Sequence, residues 1–233
     1  MSNTKYYIEK YKDFDKIIKT YYQRPNIFGK MTIVDDVVNP LKIDNRQITS
    51  VTDQQGNKPH CAAYSICNLC ESVIWKRTGK LINLEADQVY ALAKQIDGDE
   101  LDGTYLESSI KAAMKLGGFD SKNVGIGFIE NNEDNIIEKF KLAIHKYDFV
   151  QCGFVINEGW YDCNEDNPII NARGASLGGH AVLGVGYDET GAYIQNSWGK
   201  EWGAKGFCIL PWEEFTKELM YACFVTNIYD NIG

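Results

Sequence analysis

The chain has 233 residues, of which 44% are hydrophobic and 24% are charged, with 24 basic against 32 acidic side chains. This composition is typical of one globular domain or of two lobes around a cleft, and it excludes a disordered chain and a collagen-like or coiled-coil fibre. The formal net charge of −8 argues against nucleic acid as a partner, because phosphates are bound by clusters of Lys and Arg. A membrane partner is not expected either, since the sequence has no run of about 18 apolar residues.

Seven cysteines are dispersed along the chain. Because the number is odd, at least one thiol stays reduced or is joined to another molecule. The amino terminus also lacks the apolar stretch of a signal peptide. Together these features favour a cytoplasmic or other reducing compartment.

The first 36 residues are predicted to form an extension ahead of the main domain, which would span residues 37–233. Apolar side chains between Tyr6 and Tyr22 recur at three or four positions, which predicts an amphipathic helix. Residues 31–38 are rich in β-branched side chains and predict a short strand.

Helices are predicted for most of the next hundred residues. One should begin near Pro59 and end at Gly79, because proline tolerates the first helical turn and glycine favours the C-terminus. Further helices are predicted over residues 85–95, 106–116 and 133–146.

The pattern changes after residue 147 to short apolar runs separated by turn residues. These runs contain β-branched and aromatic side chains and predict antiparallel strands over residues 149–156, 180–187, 192–196 and 206–210. Helices followed by strands predict an α+β fold.

Cys61 lies at the predicted start of the helix near residue 59. The unpaired N–H groups and the dipole of a helix N-terminus stabilise negative charge, so they favour a thiolate. A thiol of ordinary pKa is only a few per cent ionised at neutral pH, and pairing with an imidazolium lowers that pKa strongly. The position of Cys61 therefore predicts a reactive cysteine that needs a histidine partner.

The chain has three histidines that could be this partner. His60 is adjacent to the cysteine in sequence, so on a helical backbone its side chain points about 100° away. His145 lies in a lysine-rich helical end, which is typical of an exposed histidine. His180 follows Gly178 and Gly179 at the start of an apolar strand and is the best candidate.

Other residues complete a recognisable pattern. Gln55 lies six positions before Cys61, the run GGHAVLGVGYD contains His180, and Asn196 opens the motif NSWGKEWGAKGF. In this order and spacing the chain resembles the papain family of cysteine peptidases over roughly residues 41–225. The resemblance implies a papain-like two-lobed fold, with a helical lobe and an antiparallel, β-barrel-like lobe on either side of a cleft.

The resemblance implies a role for each matched residue. Cys61 would be the nucleophile, His180 its ion-pair partner and proton donor, and Asn196 the group that orients the imidazole. Gln55 would donate its side-chain amide to the oxyanion, together with the backbone N–H of Cys61. Trp198 would shield the bond between histidine and asparagine from water, whereas the second tryptophan of the motif, in WGAKGF, is expected to pack in the core.

A substrate-binding set follows from the same resemblance: Gly103, Thr104, Gly179, Ala181 and Trp198. Gly103 and Thr104 occupy the place where relatives often carry a Gly-Gly pair that hydrogen-bonds the substrate backbone. The small residues on either side of the candidate histidine predict a small pocket wall there.

The resemblance is closest to bacterial and viral members, which lack the disulfides of animal and plant relatives. Lys58 stands three positions before Cys61, where secreted relatives carry a paired cysteine, so that disulfide cannot form. Ala62 replaces the usual tryptophan after the nucleophile, and His60 replaces a small residue before it.

Two cysteine pairs lie outside this pattern. Cys67 and Cys70 have the spacing of a metal or redox motif, but they share one apolar helical stripe and are predicted to pack in the core. Cys152 and Cys163 flank a glycine-containing loop, and a disulfide between them is an open alternative. The cysteines other than Cys61 are expected to be mostly reduced core residues.

The pattern of Cys61, His180 and Asn196, with the resemblance to the papain family, predicts a cysteine peptidase. It would hydrolyse peptide bonds through an acyl thioester on Cys61. A peptide or protein is its expected partner, and no cofactor or metal is implied. Two other functions stay open on the same residues: a catalytically drifted peptide-binding protein, and an acyl transferase or transamidase. Residues 1–36 are expected either to occlude the cleft as a short prosegment or to pack on the body as an accessory helix.

Overall fold

The computed structural model of the protein describes residues 38–50, 52–117, 125–131 and 134–226. The helix predicted between Tyr6 and Tyr22, and all but the last residue of the strand predicted over residues 31–38, lie outside these ranges. The boundary predicted between an extension and a main domain therefore stays a prediction. None of the described helices is long and apolar enough to cross a membrane.

Five α-helices occur in the described residues. They are α1 (Cys61–Thr78), α2 (Ala86–Asp97), α3 (Leu106–Gly117), α4 (Ile136–Tyr147) and α5 (Trp212–Glu218). The four helices predicted between residues 59 and 146 are confirmed as α1 to α4. Helix α5 was not predicted, because it is only 7 residues long and offers no more than two turns of periodic pattern.

The end of α1 shows why its boundary was predictable. Gly79 follows the last helical residue with φ of 65°, in the left-handed region that glycine adopts without a steric penalty. Its backbone N–H donates to the carbonyl oxygen of Trp75 over 2.9 Å. This bond satisfies one of the carbonyls that a helix C-terminus leaves without an intrahelical partner.

The strands in the described residues form one antiparallel sheet. They are β1 (Ile43–Asp44), β2 (Gly125–Glu130), β3 (Val150–Asn157), β4 (Ser176–Tyr187), β5 (Gly191–Gln195), β6 (Phe207–Pro211) and β7 (Leu219–Thr226). Their order is β2-β7-β3-β4-β5-β6, and β1 pairs with β4. The four strands predicted after residue 147 are confirmed as β3 to β6, and with the helices they confirm the predicted α+β class.

Three strands were not predicted, and each has a physical reason. Two glycines interrupt the apolar pattern of β2, and glycine weakens a strand interior. β7 follows directly on α5 without turn residues to mark its start. β1 is only 2 residues long and depends on its pairing with β4.

Both faces of the sheet are covered, so β4 is buried along most of its length. One apolar core lies between the sheet and helices α1 to α3, and a second lies between the sheet, α4 and α5. Leu183 points into the first core and Val182 into the second, as the alternation of a strand requires. The central strand, which carries His180, is therefore held between two layers of helices.

Gln151 joins the sheet to the beginning of α1. It is fully buried in β3, and its Nε2 donates to the carbonyl oxygen of Ala62 and to Oγ of Ser65, each over 2.8 Å. The same atom lies 3.2 Å from Oγ of Ser109 in α3. One buried amide thus connects β3 with α3 and with the beginning of α1, where Cys61 lies.

We predict that Gln151→Leu lowers the free energy of unfolding by about 1–3 kcal/mol, because a leucine of similar size leaves buried acceptors without their donor. Urea-induced unfolding measures this loss. Gln95→Leu, on the exposed side of α2, is the matched control and should change the stability by no more than about 0.5 kcal/mol. Equal effects of the two substitutions would contradict the prediction.

Candidate active site

Cys61 is the first residue of α1, and only 8% of its surface is exposed. His60 occupies the N-cap position, but its side chain does not cap the helix. The dipole of α1 favours negative charge at this end of the helix. The structure confirms the predicted location of the cysteine at a helix start.

Asn196 holds the imidazole of His180 in a defined orientation. Nε2 of His180 donates to Oδ1 of Asn196 over 2.8 Å, and both side chains are buried. The backbone N–H of Ser197 donates to the same Oδ1 over 2.8 Å, which identifies this atom as an acceptor. Because Nε2 carries the proton, Nδ1 has the lone pair in the neutral ring. Among the described residues, this buried Nδ1 has no hydrogen-bond partner.

The burial of His180 governs its protonation. Burial lowers the pKa of His180 to about 4, and the hydrogen bond with Asn196 raises it in part. Without an anion beside it, the ring of His180 is consequently neutral at pH 7 and can accept a proton at Nδ1. A positive charge on this ring becomes stable only when an anion, such as a thiolate, lies beside it.

Tryptophan rings surround the imidazole. The indole of Trp198 stacks on the ring of His180 with centroids 4.8 Å apart, and Trp160 meets the same ring at 90° and 6.2 Å. Both indoles are fully buried, so they keep water away from the imidazole. Trp202 packs in the core as predicted, and its Nε1 donates to the carbonyl oxygen of Trp160. Nothing in the sequence pattern identified Trp160.

Gln55 is docked onto the residue that follows Asn196. Its Oε1 accepts a hydrogen bond from Oγ of Ser197 over 2.6 Å, and its backbone N–H donates to the carbonyl oxygen of Ser197 over 2.8 Å. Its Nε2 donates to the carbonyl oxygen of Lys58 over 3.0 Å. Ser197 was not singled out from the sequence, although it lies inside the NSWG motif.

Two more hydrogen bonds join the segment before Cys61 to the segment after Asn196. Nε2 of Gln54 donates to the carbonyl oxygen of Trp198 over 3.1 Å. The N–H of Gly199 donates to the carbonyl oxygen of Asp53 over 2.8 Å. The structure thus brings the predicted catalytic residues into one region, although they are far apart in sequence.

The predicted substrate-binding residues lie in three parts of the chain, and one of them is Trp198, which follows β5 and stacks on His180. Gly103 has φ of 80° and is buried in the loop before α3, and Oγ1 of Thr104 donates to Oδ2 of Asp97 over 2.6 Å. Gly179 and Ala181 lie in β4, one on each side of the candidate histidine, and both are buried. The hydroxyl of Thr104 is therefore directed to α2. Contact of this set with a substrate stays a prediction.

The other two histidines do not fit the role of base, as predicted. The ring of His60 is directed to α2, where its Nδ1 lies 2.9 Å from Oδ1 of Asp87. His145 is exposed near the end of α4.

None of the seven cysteines is in a disulfide, so the alternative bridge between Cys152 and Cys163 does not occur. Cys67 and Cys70 are buried in the core as predicted, and burial raises the pKa of both thiols. In the ranges that the structure describes, no group of three or more His, Cys, Asp or Glu side chains could hold a metal ion.

We predict that the pKa of His180 in a Cys61→Ala variant lies near 4, because burial dominates once no thiolate can form. Adding Asn196→Ala should lower this pKa further, since the hydrogen bond that raises it is lost. An NMR titration of the ring measures both values, and the resonances of the exposed His145 serve as the control. An unchanged or higher pKa in the double variant would contradict the assigned role of Asn196.

No protein-family model matches the chain. Cathepsin K of Gallus gallus is 28% identical over 228 residues, which cover 81% of this chain and 62% of that protein. The chain thus spans about three fifths of the length of the cathepsin K relatives that it matches.

The fold is also similar to that of solved structures. Xylellain, a cysteine protease from Xylella fastidiosa, has a TM-score of 0.69 at 17% identity, with 95% of each chain covered. The cysteine protease Amb a 11 of ragweed, solved in its proform, has a TM-score of 0.67 at 19% identity, with 90% of this chain and 73% of that chain covered. The resemblance of this chain to the papain-like cysteine peptidases is therefore confirmed, in fold and in sequence.

Proposed function

We propose that the chain is a cysteine peptidase that hydrolyses peptide bonds through an acyl thioester on Cys61. The observation that carries this proposal is the hydrogen bond between Nε2 of His180 and Oδ1 of Asn196, which leaves a buried Nδ1 as the proton-accepting atom. The position of Cys61 at the start of α1 supports it, since thiolate is favoured there.

In the first step, the thiol of Cys61 passes its proton to Nδ1 of His180. The thiolate is then stabilised by the helix N-terminus and by the imidazolium, and the imidazolium is stabilised by the thiolate. Asn196 keeps the ring in place during this exchange, because Oδ1 holds the Nε2 proton in both protonation states.

In the second step, the sulfur attacks the carbonyl carbon of the scissile peptide bond. The oxyanion accepts hydrogen bonds from Nε2 of Gln55 and from the backbone N–H of Cys61. An amide NH₂ group has two protons, so Gln55 can donate one to the carbonyl of Lys58 and the other to the oxyanion. Collapse of this intermediate breaks the C–N bond, and Nδ1–H of His180 protonates the leaving amine.

In the third step, water attacks the thioester while Nδ1 of His180 removes its proton. A second tetrahedral intermediate forms, the C–S bond breaks, and the acid product leaves. The thiolate of Cys61 and the imidazolium of His180 are then restored. A transamidase would follow the same path with an amine in place of water, so the identity of the product separates the two activities.

We predict that a peptidyl epoxide labels Cys61 and that a mixed fluorogenic peptide library is cleaved. Cys61→Ser should abolish both, and mass mapping locates the label. Cleavage with no label on Cys61 would contradict the proposed nucleophile. A label without hydrolysis would argue against the peptidase, and a product amide formed with an added amine would identify a transferase.

Gln55→Ala tests the oxyanion contact separately. We expect kcat to fall by about 10²–10³ while Cys61 is still labelled, because the lost donor acts on the transition state. Gln95→Ala, on the exposed side of α2, is the matched control and should keep the rate. A change in KM alone would show that Gln55 binds substrate rather than the oxyanion.

We further propose that residues 1–36 occlude the cleft before activation. The position of this segment ahead of the matched region supports the proposal, as does the similarity of the chain to a ragweed protease that was solved in its proform. Removal of residues 1–36 should raise kcat/KM, and a synthetic peptide with their sequence should inhibit the shortened protein. If the shortened protein has the rate of the full chain, occlusion is wrong and an accessory role is favoured.

A further inference from the structure

A cluster of polar and aromatic side chains connects α2 to the segment that precedes Cys61. Asp87 on α2 accepts from two residues of this segment: Nζ of Lys58 lies 2.5 Å from Oδ2, and Nδ1 of His60 lies 2.9 Å from Oδ1. The ring of His60 also stacks on Tyr90, with centroids 3.7 Å apart and 23° between the planes. These four residues, Lys58, His60, Asp87 and Tyr90, are called the Asp87 cluster below.

The Asp87 cluster is connected to both groups that would bind the oxyanion. It is connected to Gln55 by a hydrogen bond and to Cys61 through the backbone. The carbonyl oxygen of Lys58 accepts from Nε2 of Gln55 over 3.0 Å, so Lys58 and Ser197, which donates to Oε1, together orient that amide. His60 precedes Cys61 in sequence, and its carbonyl oxygen accepts from the N–H of Tyr64 at the start of α1. A movement of Lys58 or His60 would therefore displace one of the two donors.

The contacts within the cluster differ in exposure and hence in strength. The side chains of Lys58 and Asp87 are 50% and 54% exposed, so their ion pair is screened by water and salt. The side chain of His60 is only 15% exposed, and its stacking on Tyr90 is shielded. Burial lowers the pKa of His60 and the hydrogen bond with Asp87 raises it in part, so the neutral ring donates Nδ1–H at pH 7.

We propose that Asp87 and His60 are positioning residues, through which α2 holds the Nε2 of Gln55 and the N–H of Cys61 in the geometry that catalysis requires. This inference rests on the proposed peptidase function. The segment has no disulfide to restrain it. The exposed carboxylate of Asp87 contributes little to global stability, but a displacement of about 1 Å at a reacting group can cost 10²-fold in rate.

The test compares Asp87→Ala and Asp87→Asn with the control Glu138→Ala. Glu138 is 53% exposed and pairs with Lys141 on α4, so it matches Asp87 in exposure and in its ion pair. With the fluorogenic peptide that the wild type cleaves fastest, Asp87→Ala should lower kcat about tenfold and change KM less than about twofold. Asp87→Asn, which keeps an acceptor for His60, should recover part of kcat.

The thermal unfolding midpoint separates positioning from stability. A fall in this midpoint with an unchanged kcat would overturn the inference and assign a structural role to Asp87. A rise in KM with an unchanged kcat would also overturn it, because the cluster would then act on substrate binding. The control Glu138→Ala should change neither kcat nor KM.

A second readout does not require peptidase activity. Iodoacetamide alkylates a thiolate, and mass mapping gives the rate constant at Cys61 itself. Asp87→Ala should lower this rate constant about fivefold, because the start of α1 loses its fixed position. If the wild type cleaves no peptide, the proposed function fails, and the alkylation rate still decides the inference: a rate equal to that of the wild type overturns it.

Discussion

The hydrogen bond from Nε2 of His180 to Oδ1 of Asn196 is the interaction on which the site depends. Because Oδ1 also accepts the N–H of Ser197, rotation of the amide would break both bonds. This bond decides which ring nitrogen keeps its proton, and the indoles of Trp160 and Trp198 keep water from competing for it. Nδ1 is left as the nitrogen that can accept a proton. Because the ring is buried, the proton affinity of Nδ1 is sensitive to any nearby charge.

Two buried neutral amides connect the parts of the chain around this bond. Gln151 connects β3 to α1 and α3, and Gln55 connects the segment before α1 to Ser197. A buried amide supplies donors and acceptors without the desolvation cost of a buried charge. These links therefore fix the geometry without adding a fixed charge beside Cys61 and His180.

The sequence predicted the parts of the structure that local patterns determine. Glycine at position 79 predicted the end of α1, and the resemblance carried by the NSWG motif implied the place of Asn196 beside the candidate histidine. The distant pairings of Cys61 with His180 and of His180 with Asn196 came from the family resemblance, and distant contacts outside its motifs were not predicted. Ser197 reaches Gln55 across 142 positions of sequence, and the acceptor for His60 is on a different helix, so only the packed chain reveals either partner.

The covering of β4 on both faces has a consequence for how the site moves. Amide hydrogens of a central strand between two cores are expected to exchange with solvent only when the whole fold opens, and β4, which carries His180, is such a strand. The ion pair between Lys58 and Asp87 is half exposed, so local opening at a lower free energy is expected there. The position of His180 is thus set by the most buried part of the fold, whereas the positions of Gln55 and Cys61 depend on contacts that reach the surface.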